Sequence, residues 1–262
     1  MTETPDGSTV RAVSRAIDIL FALGHSPLTL RDVAEVVALS RPTTYRLLST
    51  LRAKGMVVQD EVSGHYGLGP GSLHLMASIS NGNAGFIFEA THALEHLRDV
   101  TTETVAVHVR AGRSRICIKE LPSPHLIRYI AGIGVSEGIH TGSAGKTLLA
   151  FMPEAERERL LKDLPLNATT PNTITDLETL RAELARIAAA GVAYSYGERA
   201  VGAVGVTAPI MDTNGVALAA LSVIGPEGRL GNERIAEVER HVRDVAARIS
   251  ATVAGAPGPG ST

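Results

Sequence analysis

A chain of 262 residues is long enough for two domains with separate cores, and 44% apolar with 20% charged residues is the composition of a globular protein. The formal net charge of −2 excludes coating of nucleic acid by bulk electrostatics, though not a locally basic reading surface. The single cysteine, Cys117, excludes an internal disulfide framework and a multi-cysteine zinc site; its apolar-rich surroundings predict a small buried hydrophobe.

No charged-then-apolar leader opens the sequence and no apolar run reaches about 18 residues, so a cytoplasmic protein with no membrane partner is expected. Val10, Val13, Ile17 and Leu20 recur at helical spacing and predict the buried stripe of a first helix, ended by the stretch 24–27. Thr29 with Asp32 forms a variant capping box for a short second helix whose inner face is Leu30, Val33, Ala34 and Val37. A tight turn over 38–40 follows. Ser40 is the expected N-cap of a third helix, Pro42 is tolerated in its first turn, and Gly55 ends it. Residues 57–59 and 65–68 read as two short strands around a turn at Ser63 and Gly64. This order is that of a winged helix-turn-helix.

At 100° per residue, Thr44, Leu47, Leu48 and Leu51 share the packed face of the third helix, and Pro42, Arg46 and Ser49 lie opposite with Thr43 and Tyr45 flanking. Arg46 is the candidate for a bidentate bond to guanine. Thr43, Tyr45 and Ser49 suit phosphates or base edges, and Arg41, Arg52 and Lys54 suit the flanking backbone. In the wing, Tyr66 is expected to pack, whereas His65 is open to either packing or DNA contact.

Helical periodicity breaks near 78–85. Beyond it, helices are expected over 86–100, 144–152, 154–162, 177–190 and 232–253, and strands over 105–109, 114–118, 126–130, 192–197, 204–211 and 216–224. Mixed elements joined by hairpins predict an α+β domain with an antiparallel sheet. The domain boundaries that follow are 8–70 for the winged helix-turn-helix, 71–84 for a helical linker, 85–254 for the second domain and 255–262 for a disordered Gly/Pro-rich tail.

The segments HTGSAGKTLLA (140–150), GVAYSYGE (191–198), VTAPI (206–210) and AALSVIGP (219–226) resemble the signature of the IclR family of bacterial regulators, and SRPTTYRLL (40–48) is similar to that family's recognition helix. The resemblance runs from about Val10 to Val253. It implies a GAF-like α/β effector-binding domain behind the winged helix-turn-helix, assembly as a homodimer or dimer of dimers, and a small-molecule pocket. Carried across, that pocket is lined by Leu126, Glu137, Ser143, Ala144, Ser195, Gly205, Ser222 and Ile224. Members that take small carboxylates tend to have an aliphatic residue at the position of Glu137, an acid at that of Ser195 and a second serine at that of Ile224. A Glu137 carboxylate facing the pocket would repel a small acid, so the resemblance leaves the effector open. From the residues alone, the glycine-rich start of the helix at 142–145 offers backbone amides to a ligand oxygen, and Ser222 either enters a polar pocket or bonds a neighbour.

Two rival patterns carry less. The run 142–147 suggests a phosphate loop, but His140 stands where that motif needs glycine, so Lys146 reads as structural. His92 and His96 share a helix face without the glutamate of a metalloprotease pattern. No nucleophile elbow is found, so neither catalysis, a metal nor a cofactor is expected. The expectation is a DNA-binding transcriptional regulator, more a repressor than an activator, that reads a palindromic operator on double-stranded DNA with half-sites about 34–36 Å apart or a multiple of that. A sensor acting through protein partners is the alternative.

Overall fold

The computed structural model describes residues 10–72, 75 and 90–255, and the chain divides into two compact units, Met1–Gly82 and Asn83–Thr262. Most of the expected linker (71–84) and the tail beyond Gly255 lie outside the described residues.

The first unit holds α1 (Arg11–His25), α2 (Leu30–Val36), α3 (Arg41–Ala53) and the antiparallel pair β1 (Val57–Gln59) and β2 (Tyr66–Leu68). The capping box forms as the sequence predicts: the Thr29 hydroxyl accepts from the Asp32 amide while Asp32 takes the Thr29 amide. Ala38, in the turn between α2 and α3, takes a left-handed φ of 51°. Ser40 stands at the N-cap of α3, but its hydroxyl pairs with the Thr43 hydroxyl at 2.9 Å instead of capping the helix amides. The stripe expected for α1 is corrected. Ile19 and Leu23, with Ala16 and Leu20 beside them, face the core against Val33, Leu48, Leu51, Val57 and Tyr66, whereas Val10, Val13, Ile17 and Phe21 are exposed. The core is reached by the next face of the same helix, which the apolar periodicity alone does not distinguish.

The second unit is a six-stranded antiparallel sheet with helices on both faces. Its elements are α4 (Thr91–Thr101), β3 (Thr104–Ala111), β4 (Ser114–Leu121), β5 (Ser136–Gly138), α5 (Gly142–Ala150), α6 (Glu154–Lys162), α7 (Leu177–Ala190), β6 (Ala193–Tyr196), β7 (Ala203–Met211), β8 (Ala217–Pro226) and α8 (Asn232–Gly255). The strand order is β5-β4-β3-β8-β7-β6. Val105, Val107, Val204, Val206, Leu221 and Val223 pack against Leu94 and Leu97 of α4 and Val238, Val242, Val245 and Ile249 of α8. Ala193 and Ala220 join the opposite layer, in which α5 packs with α6 and α7 through Leu148, Leu149, Leu161, Leu180, Leu184 and Ile187. Each fully buried side chain of this kind stabilises the fold by about 1.5–3 kcal/mol.

One expectation fails here, and one strand was not foreseen. The strand predicted over 126–130 is absent: the stretch is bends and coil between Ser123, bonded to the Thr102 carbonyl, and Ala131, whose amide is held by the Glu120 carboxylate. The short β5 had no sequence signal of its own. Among the described residues, no helix is long and apolar enough to cross a membrane.

Every residue of α5 is buried, and Gly145 allows its close approach to the sheet edge: a Cβ there would lie 2.1 Å from the Ile139 carbonyl oxygen. Gly145→Ala should therefore destabilise the second unit by about 1–3 kcal/mol, read as a lower urea midpoint at unchanged slope.

Candidate effector cavity and DNA-reading face

On α3, burial of Thr44, Leu48 and Leu51 turns Arg41, Pro42, Tyr45, Arg46, Ser49 and Arg52 outward, with Thr43 half-buried beside them. The helix carries no acid. Its last turn is tied to the wing by a 2.9 Å bond from Arg52 to Gln59, whose own amide donates to the Gly64 carbonyl. The wing turn is fixed by Asp60, which accepts from the Val62 and Ser63 amides at 3.1 and 2.6 Å. Tyr66 packs in the core, and the half-exposed His65 bonds the Ser63 carbonyl through Nδ1 at 3.1 Å. Six of the eight residues singled out for DNA contact therefore share one exposed helix surface, with Thr43 at its edge and His65 on the wing.

In the second unit, sheet register builds the cavity. Ser195 pairs with Gly205, Gly205 with Ile224 and Ile224 with Thr104; two residues along, Thr207 pairs with Ser222 and Ser222 with Ala106. These two rows share one face, because side chains two apart on a strand point the same way. The start of α5 closes over them. The Thr207 hydroxyl donates to Ser143 Oγ at 2.7 Å and lies 2.8 Å from Ser222 Oγ. Ser222 thus both bonds a neighbour and lines the cavity. Gly205 leaves room for Ser143, whose Oγ would be 2.7 Å from a Cβ placed there. The resulting cavity offers about 40 Å³ for the centres of water-sized molecules, on the order of three waters.

Ser143, Ala144, Ser195, Gly205, Ser222 and Ile224 all line it. Two expected residues do not. Leu126 is 97% exposed, on the coil that replaced the expected strand. Glu137 sits outside the lining, engaged by Arg115 Nη2 at 2.6 Å and by Arg199 Nε. Repulsion of an acid by a free Glu137 is therefore replaced by an ion triad with one net positive charge. The amide of Gly142 is also occupied, by Glu198 Oε2 at 3.2 Å, so the helix start is not the open set of donors expected from its glycines.

His108, Arg115 and Arg199 complete the polar lining and were missed by sequence reasoning. His108 is buried and its Nδ1 has no hydrogen-bond partner among the described residues. Desolvation, followed by the Arg115 and Arg199 charges, holds His108 well below the usual histidine value, and burial also lowers Arg115. Burial pushes the Cys117 thiol up to about 12, so it is an inert packing group.

Lys146 is 2% exposed and pairs with Glu198 at 2.6 Å and Glu183 at 3.1 Å. It is not free to hold a phosphate. His92 is on the surface beside Glu95 at 3.3 Å.

A folded state that keeps His108 neutral is opposed by an unfolded chain that takes up a proton near pH 6.5, so stability present above that pH is lost below it. Denaturation at pH 7.5, 6.5 and 5.5 should show wild type losing up to about 1.4 kcal/mol more than His108→Gln between the two lower values.

Known sequences and structures match both units. The family model described as the bacterial transcriptional regulator IclR C-terminal domain matches residues 82–251, and that of the IclR helix-turn-helix domain matches residues 12–61. The HTH-type transcriptional regulator BhcR of Paracoccus denitrificans is 30% identical over 246 residues, covering 94% of this chain and 88% of BhcR. The HTH-type transcriptional repressor AllR of Escherichia coli K12 is 31% identical over 242 residues, 92% of this chain and 89% of AllR. The crystal structure of an IclR regulator from Alicyclobacillus acidocaldarius superimposes with a TM-score of 0.76 at 26% identity, covering 94% and 99% of the two chains. With its helix-turn-helix and its sheet domain both matched, the chain belongs to the IclR family of bacterial transcriptional regulators.

Proposed function

We propose that this regulator represses transcription by binding an operator through α3 and that a small molecule in the cavity of the second unit changes its affinity for DNA. The observation that carries the DNA reading is the acid-free exposed face of α3, with Arg41, Arg46 and Arg52 on one helix braced by the wing. Arg46 reads a guanine, Pro42, Thr43, Tyr45 and Ser49 meet neighbouring base edges or phosphates, and Arg41, Arg52 and His65 fix the register on the backbone. Repression is supported by AllR, which is named a repressor. The cavity supports effector binding because it is small, sets a few polar side chains in a largely apolar lining, and includes a buried histidine whose Nδ1 has no partner among the described residues. The chain acts in the cytoplasm without catalysis: Lys146 and the Gly142 amide, the groups a phosphate would need, are already satisfied by Glu198.

The same reading makes the protein a homodimer or dimer of dimers on a palindromic site. Val10, Val13, Ile17 and Phe21 form an exposed apolar stripe on α1, with Phe21 70% exposed; a second copy pairing the same stripe would cover it with two-fold symmetry. The stretch 71–84 is the covalent link through which the two units are coupled.

Footprinting on DNA upstream of the gene should show a protected palindrome, and Arg46→Ala should weaken it by about 1–3 kcal/mol with relaxed preference at one base pair. An unchanged footprint contradicts the role of Arg46. In sedimentation, Phe21→Asp should lower the assembled fraction and shift operator binding to higher protein concentration; unchanged sedimentation would assign the interface elsewhere.

A further inference from the structure

The triad at the cavity edge carries more than a site for an effector. Arg115 and Glu137 are direct cross-strand partners on β4 and β5, so their side chains share a face. Arg199 reaches the same carboxylate from the stretch between β6 and β7, and its Nη2 also donates to the Ile130 and Ala131 carbonyls at 3.3 and 3.2 Å. Arg115 and Arg199 both line the cavity and Glu137 does not. Glu137 takes Nη2 of Arg115 and Nε of Arg199, while Arg115 Nε donates to the Thr141 carbonyl at 3.4 Å, so among the described residues Nη1 of each guanidinium is left for a ligand. Two positive charges against one negative leave the wall with a single positive charge. The neutral His108 adds none, and the other polar groups lining the space are the hydroxyls of Ser143, Ser195 and Ser222.

We propose that Glu137 is a specificity-determining residue that restricts the cavity to small anions carrying one negative charge, by fixing Arg115 and Arg199 side by side while cancelling one of their charges. A ligand with one negative charge neutralises the wall. A second negative charge would be partly withdrawn from water without a counter-charge, where desolvation is costly. The cavity size sets the second limit, since about 40 Å³ for the centres of water-sized molecules admits only small ligands. This rests on the reading that the effector occupies this cavity.

Oxamate and oxalate have the same size and shape and differ by one charge, so they isolate the effect. Calorimetric titration of the full chain at pH 7.5 should give wild type at least a tenfold preference for oxamate. Glu137→Gln keeps the side-chain size and removes the charge; oxalate should gain at least tenfold, reversing or abolishing the preference. Arg199→Gln leaves the wall neutral and should weaken both anions at least tenfold. Ile224→Phe fills the cavity and should abolish both. An unchanged oxamate-to-oxalate ratio in Glu137→Gln overturns the proposal while leaving the cavity as the effector site. Absence of binding by either anion to wild type and variant also overturns it, and the effector reading then stands on neutral ligands whose effect on DNA release is lost in Ile224→Phe. Binding that survives Ile224→Phe shows that the anions sit elsewhere and sinks both.

Discussion

Lys146 places an ammonium in the packed layer between α5 and its neighbours, and a charge buried there persists only when it is paired. Glu198 supplies that pairing and, with its other oxygen, takes the Gly142 amide at the start of α5. One carboxylate thus fixes the helix start, which carries Ser143, and the residue preceding Arg199. Thr170 and Thr173 hold the Glu198 backbone carbonyl at 3.2 and 2.7 Å, so the segment cannot move without breaking several bonds together. The cavity is a consequence of this anchoring: one wall is the anchored helix start, and the other is the hydroxyl row on the sheet.

The same anchoring explains why a glycine-rich stretch before a lysine is not a phosphate site here. Such a site needs unsatisfied backbone amides and a lysine reaching outward. In this fold the lysine points into the protein, and a carboxylate stands where a phosphate oxygen would sit. The glycines serve packing. Gly145 lets α5 touch the Ile139 carbonyl, and Gly205 lets the sheet approach Ser143.

Much of the first unit was legible because its signals are local: the capping box at Thr29, the faces of α3 and the packing of Tyr66 follow from neighbours in sequence. The α1 stripe was not, because Val10, Val13, Ile17 and Phe21 are as periodic as the buried set, and only tertiary contact decides between adjacent faces. In the second unit, most of the carried-over lining residues are brought together, because they sit on paired strands and the start of one helix. Arg199 escaped because it is in a loop and reaches Glu137 from 62 residues away. His108 and Arg115 escaped for a different reason: alternation on β3 and β4 places them on one sheet face but does not say that the start of α5 closes over that face. Leu126 failed with the strand that was expected to carry it.

The central claim is that the cavity and the DNA-reading helix are thermodynamically coupled within one chain. Coupling between two binding sites is reciprocal, so a ligand that changes DNA affinity by some factor must have its own affinity changed by the same factor when DNA is bound. The direct measurement is the affinity of a cavity ligand, oxamate first, for the full chain alone and saturated with operator DNA, set beside the operator affinity with and without that ligand. The account predicts equal factors of at least fivefold from the two directions, the lower end of typical allosteric coupling. Ligand affinity that is the same with and without DNA, for compounds that fill the cavity, would contradict it.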